Sequence, residues 1–208
     1  MLKTVVQCLA KFGLCGTNNS KIFGIGLSKT GTLSLARALD MLGFRAAHWQ
    51  YTKTLINYVD GKPVINSGQL QEYDTFADIP VSRIYKQLDT ICPGSKYVLT
   101  VREIGGWLKS IERHVLRPDV FEKGGIGEQL HLDLYGSIEF HEEGFKESYN
   151  SYVRDVMSYF RNREQDLLVI DICAGEGWEK LCPFLKKPVP ERRFPTAHVY
   201  RTREANQQ

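Results

Sequence analysis

An α/β fold in three layers, with a mainly parallel central sheet flanked by helices, is the architecture this sequence predicts, and three observations lead to it. Short apolar runs alternate with longer stretches of helical periodicity along the chain. The first clear run, Ile22 to Ile25, passes through a glycine-rich turn directly into a helical stretch, as in units that build parallel sheets. Asp78, Arg102 and Asp171 each stand where an apolar run ends, and the carboxyl ends of parallel strands are where such folds hold ligands.

Composition narrows the class further. With 208 residues, 42% of them hydrophobic, the chain can bury one sizeable core, so a single main domain is expected over residues 21–195. Residues 1–20 read as a loosely attached segment, helical up to about Gly13 or Gly16, and residues 196–208 as a polar tail. A net charge of +3 is too small to argue for a nucleic-acid surface, although it leaves room for a local basic pocket. No uncharged apolar run approaches the roughly 18 residues of a membrane span. The five cysteines, Cys8, Cys15, Cys92, Cys173 and Cys182, show none of the usual zinc or redox spacings, so reduced thiols in a cytoplasmic protein are expected.

The stretch Lys21 to Phe44 carries the first motif. Gly26 and Gly31 let the backbone of the turn curl with its amides inward, and Thr30, Thr32 and Ser34 add hydroxyls. The following helix, with Leu35, Ala36, Leu39 and Leu42 on one face, contributes its unpaired N-terminal amides and the positive end of its dipole. Such a loop binds an anion. A Walker loop places lysine directly after its second glycine; that position here is Thr32, and the lysine, Lys29, precedes Gly31 by two residues.

Further along, Arg45 to Trp49 reads as a second strand with His48 near its end, either facing a pocket or structural. Thr52 to Val59 reads as a helix or lid piece ending at Asp60-Gly61, and Gly61, Pro63, Asn66 and Gly68 mark a loop after it. Thr75 to Ala77 forms a strand, and Pro80 opens the helix Val81 to Leu88. Asp78 between them either points into the ligand crevice or caps the helix. Lys96 to Arg102 is the clearest buried strand, and the helix from Gly106 to His114 places Ser110 beside Arg102. An arginine there offers a bidentate phosphate clamp and the serine a neutral donor. Arg117 to Leu134, with three glycines and no clean period, reads as a mobile loop or lid. Phe140 to Phe160 is helical with an aromatic stripe of core type, and Leu167 to Asp171 is a last strand before a helix ending near Leu185.

Ser28-Lys29-Thr30-Gly31-Thr32 resembles the 5′-phosphosulfate loop of the sulfotransferases that use 3′-phosphoadenosine-5′-phosphosulfate (PAPS). Tyr97 to Arg102 with Ser110 eight residues on is similar to the 3′-phosphate segment of the same family, and the order from Asp171 to Pro195 looks like its C-terminal end. One departure stands out: Glu103-Ile104 replaces the usual Asx-Pro pair after the arginine. The resemblance implies a P-loop-like sulfotransferase fold and transfer of a sulfuryl group from PAPS to an acceptor hydroxyl or amine, with 3′-phosphoadenosine-5′-phosphate (PAP) as product and no metal. It further implies that Lys29 stabilises the leaving phosphate, that Ser28, Thr30, Gly31, Thr32, Leu33 and Ser34 cradle the 5′-phosphate, and that Arg102 and Ser110 bind the 3′-phosphate. Asp78 is the leading base, with His48 in reserve, and Lys186, Lys187, Arg192 and Arg193 form a basic closing segment. A small-molecule or glycan acceptor is implied, and a homo-oligomer is compatible. A magnesium-dependent nucleotide kinase, its Walker B strand ending at Asp171, and a non-catalytic PAP-binding module are the alternatives.

Overall fold

The computed structural model describes Cys15, residues 20–117 and residues 121–196. The expected N-terminal helix, Cys8 and the tail beyond Thr196 lie outside the described residues.

Five parallel strands form the central sheet in the order β2, β5, β1, β6, β7: β2 Ala46–Ala47, β5 Thr75–Ala77, β1 Ile22–Gly24, β6 Lys96–Thr100 and β7 Leu167–Ile170. Because strand side chains alternate between faces, neighbouring residues feed opposite cores. Ile22, Val98 and Ile170 pack on one face with Leu35, Leu39 and Leu181, from helices α1 (Thr32–Met41) and α8 (Trp178–Leu185). Phe23, Phe76, Tyr97 and Leu99 pack on the other with Ile84 of α4 (Ile79–Ile91) and Val156 and Phe160 of α7 (Glu142–Phe160). In register across three strands, Phe23 stands between Phe76 and Tyr97, with ring centroids 5.9 and 5.5 Å away. Helices on both faces of a parallel sheet make the three layers expected.

A third cluster lies under the carboxyl edge of the sheet. Leu27 packs there with Trp107 and Ile111 of α5 (Ile104–Val115), Tyr135 of α6 (Ile126–Tyr135), and Phe145 and Tyr149. The aromatic stripe of α7 is therefore core, as expected.

Three expectations are corrected. The segment after α2 (Trp49–Thr52) is neither helix nor lid piece: Ile56–Val59 (β3) pairs antiparallel with Lys62–Ile65 (β4), which occupies the segment expected to be a loop. Asp60 and Gly61, with φ of +49° and +71°, form the tight turn between them, a hairpin signal that outweighs the short helical pattern. The glycine-rich middle contains α6, whose buried Leu130 and Tyr135 hold it against the core despite its irregular sequence period. A short helix α3 (Gln69–Glu72) completes the chain before β5. Finally, Cys15 and Cys92, both buried and 77 residues apart, form a disulfide, whereas Cys173 and Cys182 are free thiols. Their pairing depends on a contact between distant segments, which no local spacing announces.

Candidate active site

The loop between β1 and α1 is held through its carbonyls. Tyr152 Oη donates to the carbonyl of Ile25 at 2.7 Å, Ser82 Oγ to Gly26 at 2.8 Å and Thr30 Oγ1 to Leu27 at 2.6 Å. Trp107 Nε1 donates to Ser28 at 2.9 Å and Arg102 Nη1 to Lys29 at 3.2 Å. Five consecutive carbonyls are thus tied to side chains, four of them from the protein body and one, Thr30, from the loop itself. The first rung of α1 is Leu35 N to Gly31 O at 3.0 Å, so the amides of Gly31, Thr32 and Leu33 precede the helix ladder at the cleft. Gly26 admits no side chain: a Cβ there would lie 2.6 Å from the Thr100 carbonyl and 2.7 Å from Thr30 Oγ1.

Replacing Tyr152 by Phe removes one of these ties and leaves the Ile25 carbonyl without that donor. Urea unfolding of Tyr152→Phe should show a loss of about 1–3 kcal/mol.

A cleft of about 490 Å³ opens above this loop. Ser28, Lys29, Gly31, Thr32, Leu33, Ser34, His48, Asp78, Arg102 and Ser110 all line it, so ten of the expected site residues meet in one place. Thr30 does not. It is fully buried, its hydroxyl is spent on Leu27 O and on Thr100 Oγ1 at 2.6 Å, and its amide reaches Leu27 O at 3.3 Å. The expectation that Thr30 contacts the anion is therefore corrected: it shapes the loop from below.

Among the described residues, four cationic side chains, Lys29, Arg102, Arg113 and Arg117, line the cleft, against a single carboxylate, Asp78. Lys29 sits at the bend of the loop with φ +70°. Burial lowers its pKa first, then Arg117; Arg102 and Arg113 add to this and Asp78 opposes it. Such a concentration of positive charge calls for a polyanion. Arg113 and Arg117 went unread in the sequence, although Arg113, three residues after Ser110, shares its helical face, and Arg117 follows just beyond the end of α5.

Asp78 follows β5 and has φ +102°. Both readings of this residue hold. Its Oδ1 accepts from Ile79 N at 2.8 Å, capping α4, while Oδ2 stands 3.6 Å from His48 Nε2 in the cleft. His48 Nε2 is in turn 3.2 Å from Thr32 Oγ1. Burial raises the Asp78 pKa, opposed first by His48 and then by the Ile79 amide.

Glu103 is not among the residues lining the cleft. It caps α5, accepting from the amides of Gly105 and Gly106 at 2.7 Å each, and these bonds hold its pKa below the usual carboxylate range. The glutamate thus does the work of an Asx cap. Arg102 is fixed at its backbone by Tyr149, whose hydroxyl lies 2.9 Å from Arg102 N and 2.8 Å from Arg102 O. Lys186, Lys187, Arg192 and Arg193 are not among the residues lining the cleft; Lys187 Nζ instead lies 4.7 Å from the centre of the Phe44 ring. Asp171 caps a short helical turn by accepting from Ala174 N at 2.9 Å. Trp49, Ile79, Phe121, Gly127 and His131 also line the cleft.

A five-stranded parallel sheet flanked by helices, with a tied loop and four cations at its carboxyl edge, defines a P-loop-like transferase. The chain belongs to the sulfotransferase-domain family, whose model, Sulfotransferase domain, matches residues 21–202. Among curated proteins it is similar to "Ava biosynthesis cluster protein M" of Aspergillus versicolor, at 24% identity over 206 residues, covering 84% of this chain and 79% of the relative. No helix among the described residues is long and apolar enough to cross a membrane.

Proposed function

We propose that this transferase moves a sulfuryl group from PAPS to a hydroxyl or amine of a small-molecule acceptor. One observation carries the reading: the amides ahead of α1 and the cations Lys29 and Arg102 meet in one cleft with Ser110 at its side. That donor set suits a ligand with two separated phosphate groups.

When bound, PAPS supplies the activated sulfuryl group. The amides of Gly31, Thr32 and Leu33, with Ser28 and Ser34, hold the 5′-phosphate. Lys29 meets the negative charge that grows on the leaving 5′-phosphate oxygen. Arg102 retains nitrogens beyond the one bonded to Lys29 O, and with Ser110 it binds the 3′-phosphate. Asp78 takes the acceptor's proton as the new oxygen–sulfur or nitrogen–sulfur bond forms, and His48, 3.6 Å away, orients and shares it. The name of the similar fungal protein refers to a biosynthesis cluster, which is in keeping with a small-molecule acceptor.

Thermal shift with PAP, against ATP plus magnesium, tests the donor site. PAP at a hundred times its Kd should stabilise the protein by about 2.7 kcal/mol. Arg102→Ala should lose most of this, and Ser110→Ala, which leaves the loop tie intact, should lose part of it. Stabilisation by ATP and magnesium alone would overturn the proposal in favour of a kinase.

A further inference from the structure

The anion loop and the proposed base meet at one nitrogen. β2 lies beside β5 with Ala47 opposite Phe76, so His48 and Asp78 follow neighbouring strands at the carboxyl edge of the sheet. Thr32, the first residue of α1, comes to the same point from the loop side. His48 Nε2 lies 3.2 Å from Thr32 Oγ1 and 3.6 Å from Asp78 Oδ2. The first distance is that of a hydrogen bond, and the second lies just beyond one. Thr32 and Asp78 are both buried, so each depends on protein or ligand partners more than on water.

Hydrogen counting limits what these three groups can do. A threonine hydroxyl has one hydrogen to give, and a ring nitrogen of neutral histidine either carries one hydrogen or accepts one. If Thr32 donates to Nε2, that nitrogen turns a lone pair toward the Asp78 carboxylate. If Thr32 donates elsewhere, its oxygen accepts from Nε2, and the same N–H then faces Asp78. The Thr32 hydroxyl thus decides which form of His48 the base meets. Thr32 also stands where a second acceptor for its hydrogen would arrive: it lines the cleft with Lys29 and Arg102, and its amide precedes the helix ladder.

We infer that Thr32 is a positioning residue that couples donor binding to the base: with a 5′-phosphate in the loop, Thr32 donates to it, His48 carries its hydrogen on Nε2, and that N–H stands between Thr32 Oγ1 and the Asp78 carboxylate and orients the carboxylate. This rests on the sulfotransferase reading above and adds a regulation of that site. Without the donor, Thr32 donates to Nε2, and Asp78 faces a lone pair that gives it no support. The base is therefore set only when there is a sulfuryl group to transfer. The hydrogens balance: Thr32 redirects the one on its hydroxyl, and the imidazole hydrogen relocates from Nδ1 to Nε2 through solvent, with no net uptake or release.

Nitrogen-15 NMR of histidine-labelled protein tests it with PAP alone, at about pH 8, where an ordinary imidazole is neutral. The His48 signals are assigned by their loss in His48→Phe. On addition of PAP the Nε2 signal should move from the range of a bare ring nitrogen to that of an N–H. In Thr32→Val, which keeps the amide and the branched shape but has no hydroxyl, it should not move although PAP still binds; Thr32→Ser should restore the movement. Calorimetry at the same pH supplies the energetic side. Thr32→Val should weaken PAP about tenfold, as loss of one hydrogen bond to a charged group predicts. His48→Phe should weaken it about threefold in the wild-type background and not at all when combined with Thr32→Val, because the coupling runs through the hydroxyl. If PAP binds and the Nε2 signal stays where it was, or if the two substitutions act independently, the inference falls and the donor site stands. If PAP does not bind the wild-type protein, the donor reading falls and the inference with it.

Discussion

Lys29→Ala is expected to lower turnover by roughly 10²–10³-fold, the usual loss when a donor to developing negative charge is removed. Stability should not fall with it. Lys29 is crowded by Arg117, Arg102 and Arg113, and the direction of its pKa shift shows that its charge is disfavoured in the folded protein. Removing that charge relieves repulsion, so the melting temperature should match or exceed wild type. The pH profile supplies a second readout. The lowered pKa moves the basic limb of kcat/KM below the ordinary lysine range of about 10.4, and the variant's residual activity should lack that limb. A variant of near wild-type turnover would remove Lys29 from the mechanism.

Asp78→Asn should lower turnover by about 10²–10⁴-fold, the range for loss of a general base. The substitution is close to isosteric: the asparagine oxygen can still accept from Ile79 N, and asparagine tolerates the positive φ better than most residues. Its effect on stability runs the other way. The folded-state pKa of Asp78 lies above its unfolded value, so the carboxylate destabilises the fold increasingly as pH rises past about 3.9, and this is complete above the folded pKa. Asparagine carries no such charge. Unfolding at pH 7 should therefore show the variant as stable as wild type or more so, with the difference shrinking toward pH 4. Wild-type kcat/KM should rise with pH through an acid limb above the ordinary carboxylate range. If the variant lost activity and stability together, Asp78 would be a structural cap rather than a base.

This opposition of activity and stability is what a strained, buried charge at a working site produces. Asp78 is tolerated because its environment over-determines it: one oxygen is tied to the backbone of α4 while the other faces His48.

Much of this was legible in the sequence because it is local. The β1–loop–α1 unit, the helix placing Ser110 beside Arg102, and Asp78 between a strand and a helix opened by proline are each written in one short stretch of consecutive residues, where period, glycine and capping rules act. The same rules point to the three-layer sheet, since apolar runs separated by helical stretches have few other ways to bury both faces. They misread two places. The hairpin at Asp60-Gly61 reads locally as a helix end, and α6 is hidden by its glycines because its order comes from packing Leu130 and Tyr135 rather than from its own pattern.

Tertiary structure alone decided what surrounds the loop. Its carbonyls are held by Tyr152, Ser82, Trp107 and Arg102, which lie 127, 56, 79 and 73 residues from their partners. The pairing of Cys15 with Cys92 and the meeting of Trp49, Phe121, Gly127 and His131 across the cleft are equally non-local. The sequence by itself determined which segment forms the tied loop ahead of α1 and which charged residues stand at the sheet edge, because backbone conformation and side-chain period are short-range properties. Which of those groups line the cleft was decided by the fold: Thr30 and Glu103 satisfy the protein's own backbone, while Lys29 and Asp78 stand at the cleft.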